Sequence, residues 1–145
     1  MEMDIISRTN KENTSGMRPL IYSCSGSSSA AQMANYMALQ IDRNEIADMS
    51  CIAGVGGGVE KLVKTALSGR KIIVIDGCPL ACSRACLSQH GLLPDLHIEL
   101  SAYGVSKRNH IDFDKQQAEE LLEIVKEQID TEVCETYQAE STGPS

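Results

Sequence analysis

Four cysteines stand where their thiols could act together. Cys24 follows the apolar run Leu20-Ile21-Tyr22, Cys51 follows Ile46, Ala47 and Met49, and Cys78 follows the β-branched run at residues 72–75. If these runs are neighbouring strands about 4.8 Å apart, their ends deliver three thiols to one rim. Cys82 joins them if a helix begins at Pro79, because residues four apart share a helix face. Four converging thiolates are what a closed tetrahedral zinc site requires, with Zn–S near ~2.3 Å. The same donors could instead hold an iron–sulfur cluster. Ser25, Gly26, Ser27, Gly56 and Gly57 flank the cysteines, and their backbone N–H groups could cradle an anion or support the metal ligands from outside. Asp76 and Asp48 could orient a ligand or act as a general base. For Asp76 an equal reading is a strand-end carboxylate that accepts backbone N–H bonds.

The remaining cysteines and histidines fit the cluster less well. Between Cys78 and Cys86 a helix would rise about 12 Å and its face would turn by about 80°, whereas sulfurs on one zinc lie within about 4 Å of each other. Cys86 is therefore expected as a small buried hydrophobe, and His90 as a helix-end residue near the C-terminal dipole. His97 and His110 have no evident partners in sequence and are expected at the surface. Cys134 falls in a charged C-terminal stretch and is given no role.

A different chemistry competes for the same thiols. In a cysteine-dependent redox or sulfur-transfer enzyme, Cys78 or Cys82 would be the nucleophile. Their CxxxC spacing suits a disulfide couple poorly, but a persulfide carried on one thiol needs no second cysteine. Residues 78–84 also match the Cys-x5-Arg pattern of phosphatase loops. Pro79 removes an N–H where that loop needs one, and no glycine intervenes, so this reading is set aside. The segment GVGGGV after Cys51 invites a nucleotide reading but is neither a Walker A loop nor a full G-x-G-x-x-G, and a flexible turn leading into the next helix accounts for it at least as well. Whether the chain is an enzyme stays open on these residues.

The elements that must position the thiols alternate along the chain. Leu20–Tyr22 reads as a strand, and Ala30, Ala34, Met37, Ala38 and Ile41 recur at helical spacing. Ile46, Ala47 and Met49 form a weaker strand. Val59, Leu62, Val63, Ala66 and Leu67 share a helix face that Gly69 ends. The run at 71–76 is a strand buried on both faces, and a third helix is expected from Pro79 to about His90. Leu96, Ile98 and Leu100 alternate as an edge strand. Asp114 caps a last helix, with Gln117 in the capping-box position and Ala118, Leu121, Leu122, Val125 and Ile129 as its apolar stripe. Strand followed by helix four times implies an α/β fold: a three-layer sandwich around a four-stranded parallel sheet. With the most apolar strands central, the expected order is 2-1-3-4, a flavodoxin-like or Rossmann-like layout. The site would lie beyond the strands' carboxyl ends, where the chain order reverses.

Length and composition agree with one such domain. The chain has 145 residues, 42% of them apolar and 23% charged, an ordinary globular mixture. Residues 1–18 read as a flexible arm, 19–131 as a single domain that would carry the metal site, and 132–145 as a flexible tail. A net charge of −7 and the lack of tryptophan argue against a nucleic-acid-binding surface. No segment reads as a membrane span or an export signal. The expected setting is cytoplasmic, where thiols stay reduced and serve as ligands or nucleophiles. A metal ion is the one partner the residues specify; a protein partner is not identified by them.

Taken together, Tyr22-Ser-Cys-Ser-Gly26, Gln32-Met-Ala-Asn35, Met49-Ser-Cys-Ile-Ala-Gly-Val-Gly-Gly57 and Ile75-Asp-Gly-Cys-Pro-Leu-Ala-Cys82 resemble the DGC-type family, named for the Asp-Gly-Cys seen here at 76–78. The resemblance spans roughly residues 19–110. It implies four recurring cysteines that bind zinc, matching Cys24, Cys51, Cys78 and Cys82, and it implies no particular reaction. The reading that results is a zinc-binding protein with a four-cysteine site, acting in metal or redox sensing or in metal or sulfur handling.

Overall fold

A computed structural model describes residues 16–134; the expected arm and tail fall mostly outside the described residues. Strands β1 (Leu20–Ser23), β2 (Asp48–Met49), β3 (Ile72–Asp76) and β4 (Leu96–Glu99) form one parallel sheet in the order β2-β1-β3-β4. Leu20 pairs with Asp48 on one side and Ile72 on the other, and Ile73 pairs with Leu96. The helices are α1 (Ser29–Arg43), α2 (Ile52–Gly56), α3 (Glu60–Ala66), α4 (Cys82–Ser88) and α5 (Lys115–Ile129).

Alternation along the central strands builds the three layers. Ile21, Ile73, Ile75 and Ile98 pack with the stripes of α1 and α5 on one face. Leu20, Tyr22, Ile72 and Val74 pack with Val55, Ala66 and Leu87 on the other. Side chains of a strand point alternately to its two faces, so a run such as Ile72–Ile75 must be apolar throughout to serve both cores. Each fully buried isoleucine or leucine contributes about 1.5–3 kcal/mol. The strand order and sandwich are those expected from the chain's β-branched runs. The helix caps also follow sequence. Ser28 accepts from the Ala31 N–H at 3.2 Å, and Asp114 accepts from the Gln117 N–H at 3.1 Å. The Gln117 amide turns instead to the Gly104 carbonyl, so only half of the expected capping box forms.

Four local expectations are corrected. The third helix begins at Cys82, not Pro79, because residues 77–81 form a turn in which Ala81 takes a left-handed conformation, φ 49°. The glycine segment after Cys51 is not simply a turn, since Ile52–Gly56 is helical. β2 is only two residues long, as suits an edge strand. At the other end, the last helix passes into a π turn, Asp130–Cys134, that buries Val133. Cys134 packs against the core from there instead of lying in a tail.

Candidate functional site

Beyond the carboxyl ends of β1 and β3, a pocket of about 280 Å³ is lined by Cys24, Ser25, Gly26, Ser27, Cys78 and Cys82, with Lys107 and Asn109 completing its polar wall. Its position follows from chain order. α1 leaves β1 toward one face of the sheet and α4 leaves β3 toward the other, which opens a crevice between the two strand ends. Gly77 keeps that crevice tight. A Cβ on Gly77 would lie 2.6 Å from the Ala30 carbonyl carbon and oxygen.

The three thiols in the pocket have different surroundings. Cys24 is buried and accepts the Gly77 N–H at 3.2 Å. Burial pushes its thiol up to about 11; the Gly77 N–H pulls it down, and Asp76, Cys78 and Cys82 push it further up. Cys78 is half-buried, and the Lys107 ammonium donates to its sulfur at 3.6 Å. Cys82 is exposed at the first residue of α4.

Cys51 is placed differently. It is exposed at the start of α2 and does not line the pocket. Gly56 and Gly57 also lie away from it. Gly57 closes α2, and the Gly56 carbonyl accepts from the Gln89 amide at 2.9 Å. As a donor set, four thiols suit a soft metal ion. In spacing, no three His, Cys, Asp or Glu side chains among the described residues are gathered closely enough to hold one.

Asp76 supports the pocket from below. Its carboxylate is 1% exposed and accepts from the Ser83 N–H at 2.9 Å and the Arg84 N–H at 3.3 Å. These are the second and third residues of α4, where a helix needs an acceptor that Ala81 cannot supply. His97 Nε2 lies 2.8 Å from the same carboxylate. His97 is thus a buried-side partner and not the surface residue expected, because β4 aligns beside β3 and sets the two side chains together. Asp48 sits at the opposite end of the sheet, held by Arg70 at 2.6 Å and Arg18 at 3.3 Å. His90 Nε2 contacts the Val55 carbonyl at 2.7 Å and joins α4 to α2. Cys86 is half-buried against Gly56, and burial, with Cys82 and Asp76 nearby, raises its thiol.

Sequence reasoning missed Lys107, Asn109 and the residue that delivers them. Ser29 donates its backbone N–H to the Arg108 carbonyl at 2.9 Å, accepts the Arg108 N–H on Oγ at 2.9 Å, and donates Oγ to the Ser106 carbonyl at 3.2 Å. The two residues flanking Lys107 are therefore tied to the start of α1. Its polar surroundings in sequence carry no signal of this.

The raised Cys24 thiol has a measurable consequence. In metal-free protein, iodoacetamide should label Cys24 far more slowly than Cys82 at pH 7–8, read by peptide mass spectrometry. Because the folded state holds this proton more tightly than the unfolded chain does, the linked stability is present below about pH 9. It falls by on the order of 2 kcal/mol as pH rises toward 11. Fast labelling of Cys24 in the folded protein at pH 7 would contradict this.

Residues 20–125 match the DGC domain, a span that begins with β1 and ends inside α5. The anaerobic and virulence modulator AnvM of Pseudomonas aeruginosa is 53% identical over 104 residues, which cover 72% of this chain and 79% of AnvM. No solved structure matches the chain. Asp76, Gly77 and Cys78, which supply the α4 cap, the tight crevice and a pocket thiol, fall inside the matched span, and the chain belongs to the DGC-domain family.

Proposed function

We propose that this chain is a regulatory protein whose working part is the thiol-lined pocket, and that Cys24, Cys78 and Cys82, together with Cys51, take up a soft metal ion, with zinc favoured. The carrying observation is that three thiols, Cys24 after β1, Cys78 in the turn after β3 and Cys82 at the start of α4, line one cavity at the sheet's reversal point. The name of AnvM, an anaerobic and virulence modulator, supports a regulatory role for a relative this similar. Zinc would supply no redox change of its own, so any response to oxidant or metal level would lie with the thiols. Asp76 holds the start of α4, and with it Cys82, in place. Metal uptake would draw the three pocket thiols closer together and recruit Cys51 from its exposed position at the head of α2. A reducing, cytoplasmic setting suits such thiols.

The contact between Lys107 and Cys78 favours a second reading, cysteine-dependent redox or sulfur-transfer chemistry with Cys78 as nucleophile. Metal content and the visible spectrum of anaerobically purified protein separate the two. About one zinc per chain, colourless and lost in Cys78→Ser, is the expected result. Iron and sulfide with visible colour would replace zinc by a cluster. Metal-free protein with a fast-alkylating Cys78 would overturn metal binding in favour of the enzyme.

A further inference from the structure

The same pocket carries a positive charge and unused backbone donors that thiols alone do not account for. Lys107 is the charged amine of its lining, and no carboxylate among the described residues lines it. In a chain of net charge −7, a cavity with a cation and without acidic residues is a local inversion of the overall field. The lysine is not carried on a loose loop end. Ser29 grips Ser106 and Arg108 on either side of it, which holds the segment against the start of α1.

Ser25, Gly26 and Ser27 line the same cavity, and their backbone N–H groups donate to no acceptor among the described residues. Gly26, with φ 146°, takes a conformation that side-chain-bearing residues rarely adopt. The Gln32 side-chain amide donates to the Gly26 carbonyl and fixes this turn. Successive free N–H groups in a turn can form an anion-binding concavity, and Lys107 and Asn109 line the same cavity. A volume of about 280 Å³ lies at the small end of ligand pockets.

We propose that this pocket binds a small oxyanion, held by the Lys107 ammonium and the Ser25–Ser27 backbone beside the Cys78 sulfur. The inference rests on the reading of this pocket as the working site, but not on any metal in it. A free inorganic ion and the anionic end of a small ester share this chemistry.

The test is an NMR titration of reduced, chelator-treated full-length protein with inorganic phosphate, sulfate and phenyl phosphate at constant ionic strength. Saturable amide shifts at Ser25, Gly26, Ser27 and Lys107 are expected. Affinity should fall at least tenfold in Lys107→Ala, stay within about threefold in Lys107→Arg, and be unchanged in Lys64→Ala, an exposed side chain of α3. Lys107 is exposed, so its alanine variant should keep the parent's spectral dispersion. Phenyl phosphate binding more tightly than phosphate identifies an ester end; the reverse order identifies a free ion. Equal weakening in the Lys107 and Lys64 alanine variants, or no saturable shift, overturns the proposal. Binding that needs added zinc also overturns it, because the ion would then be a metal ligand. Saturable binding to protein that takes up no zinc would leave the oxyanion site standing and remove the metal reading.

Discussion

Asp76→Ala should lower folding stability by about 3–5 kcal/mol, the range for breaking a buried, multiply bonded charge. The carboxylate is almost completely buried and accepts three bonds at once, from the Ser83 and Arg84 N–H groups and from His97. Alanine leaves all three donors without this partner. Two of them are the first-turn N–H groups of α4, whose own preceding residue, Ala81, offers no side-chain cap. Hydrogen bonds to a charged acceptor contribute about 1.5–3 kcal/mol each and are not additive. Asp76→Asn should cost less, about 1–3 kcal/mol, because the amide oxygen can still accept one N–H while its NH2 group faces donors. Urea unfolding measures both. Alkylation of Cys82 should speed up in the alanine variant, as the helix that starts with it loses its cap. A loss under about 1 kcal/mol with unchanged Cys82 labelling would mean that α4 is held by its packing through Leu87 and not by this carboxylate.

The second large effect is expected at the next residue. Gly77→Ala should destabilise by about 2–4 kcal/mol or prevent folding, since overpacking costs about 1–3 kcal/mol even where side chains can give way. Here the added methyl would meet backbone, 2.6 Å from the Ala30 carbonyl atoms and 2.9 Å from the Ala31 nitrogen. α1 would have to move away from β3, and the Gly77 N–H would move off Cys24 with it. The Cys24 thiol would lose the one contact that lowers its pKa. Four residues on, the contrast is instructive. Ala81→Gly relieves a left-handed residue but loosens the unfolded chain, so it should stay within about 1 kcal/mol of the parent. Thermal melts of the two variants compare them directly. A Gly77→Ala protein as stable as the parent would show that the crevice between α1 and β3 can open without penalty.

Much of the architecture is legible in residue order. The β-branched run at 72–75 reads as a central strand, and the stripe Ala118–Ile129 as a helix with one buried face. Such patterns are local, and burial of apolar area enforces them wherever the chain places them. Strand order follows from the same runs, and with it the arrival of Cys24, Cys78 and Cys82 at one rim. The start of α4 is different, because a competing local signal, Pro79, is overridden by a carboxylate at the end of β3. His97 finds its partner only when β4 aligns beside β3. Lys107 reaches Cys78 only through Ser29, whose Oγ takes the N–H of a residue 79 positions away. Local propensity and apolar periodicity therefore determine the elements and the sheet. The fine geometry of the pocket rests on single polar contacts between distant segments, whose partners are paired only after the sheet and helices have packed.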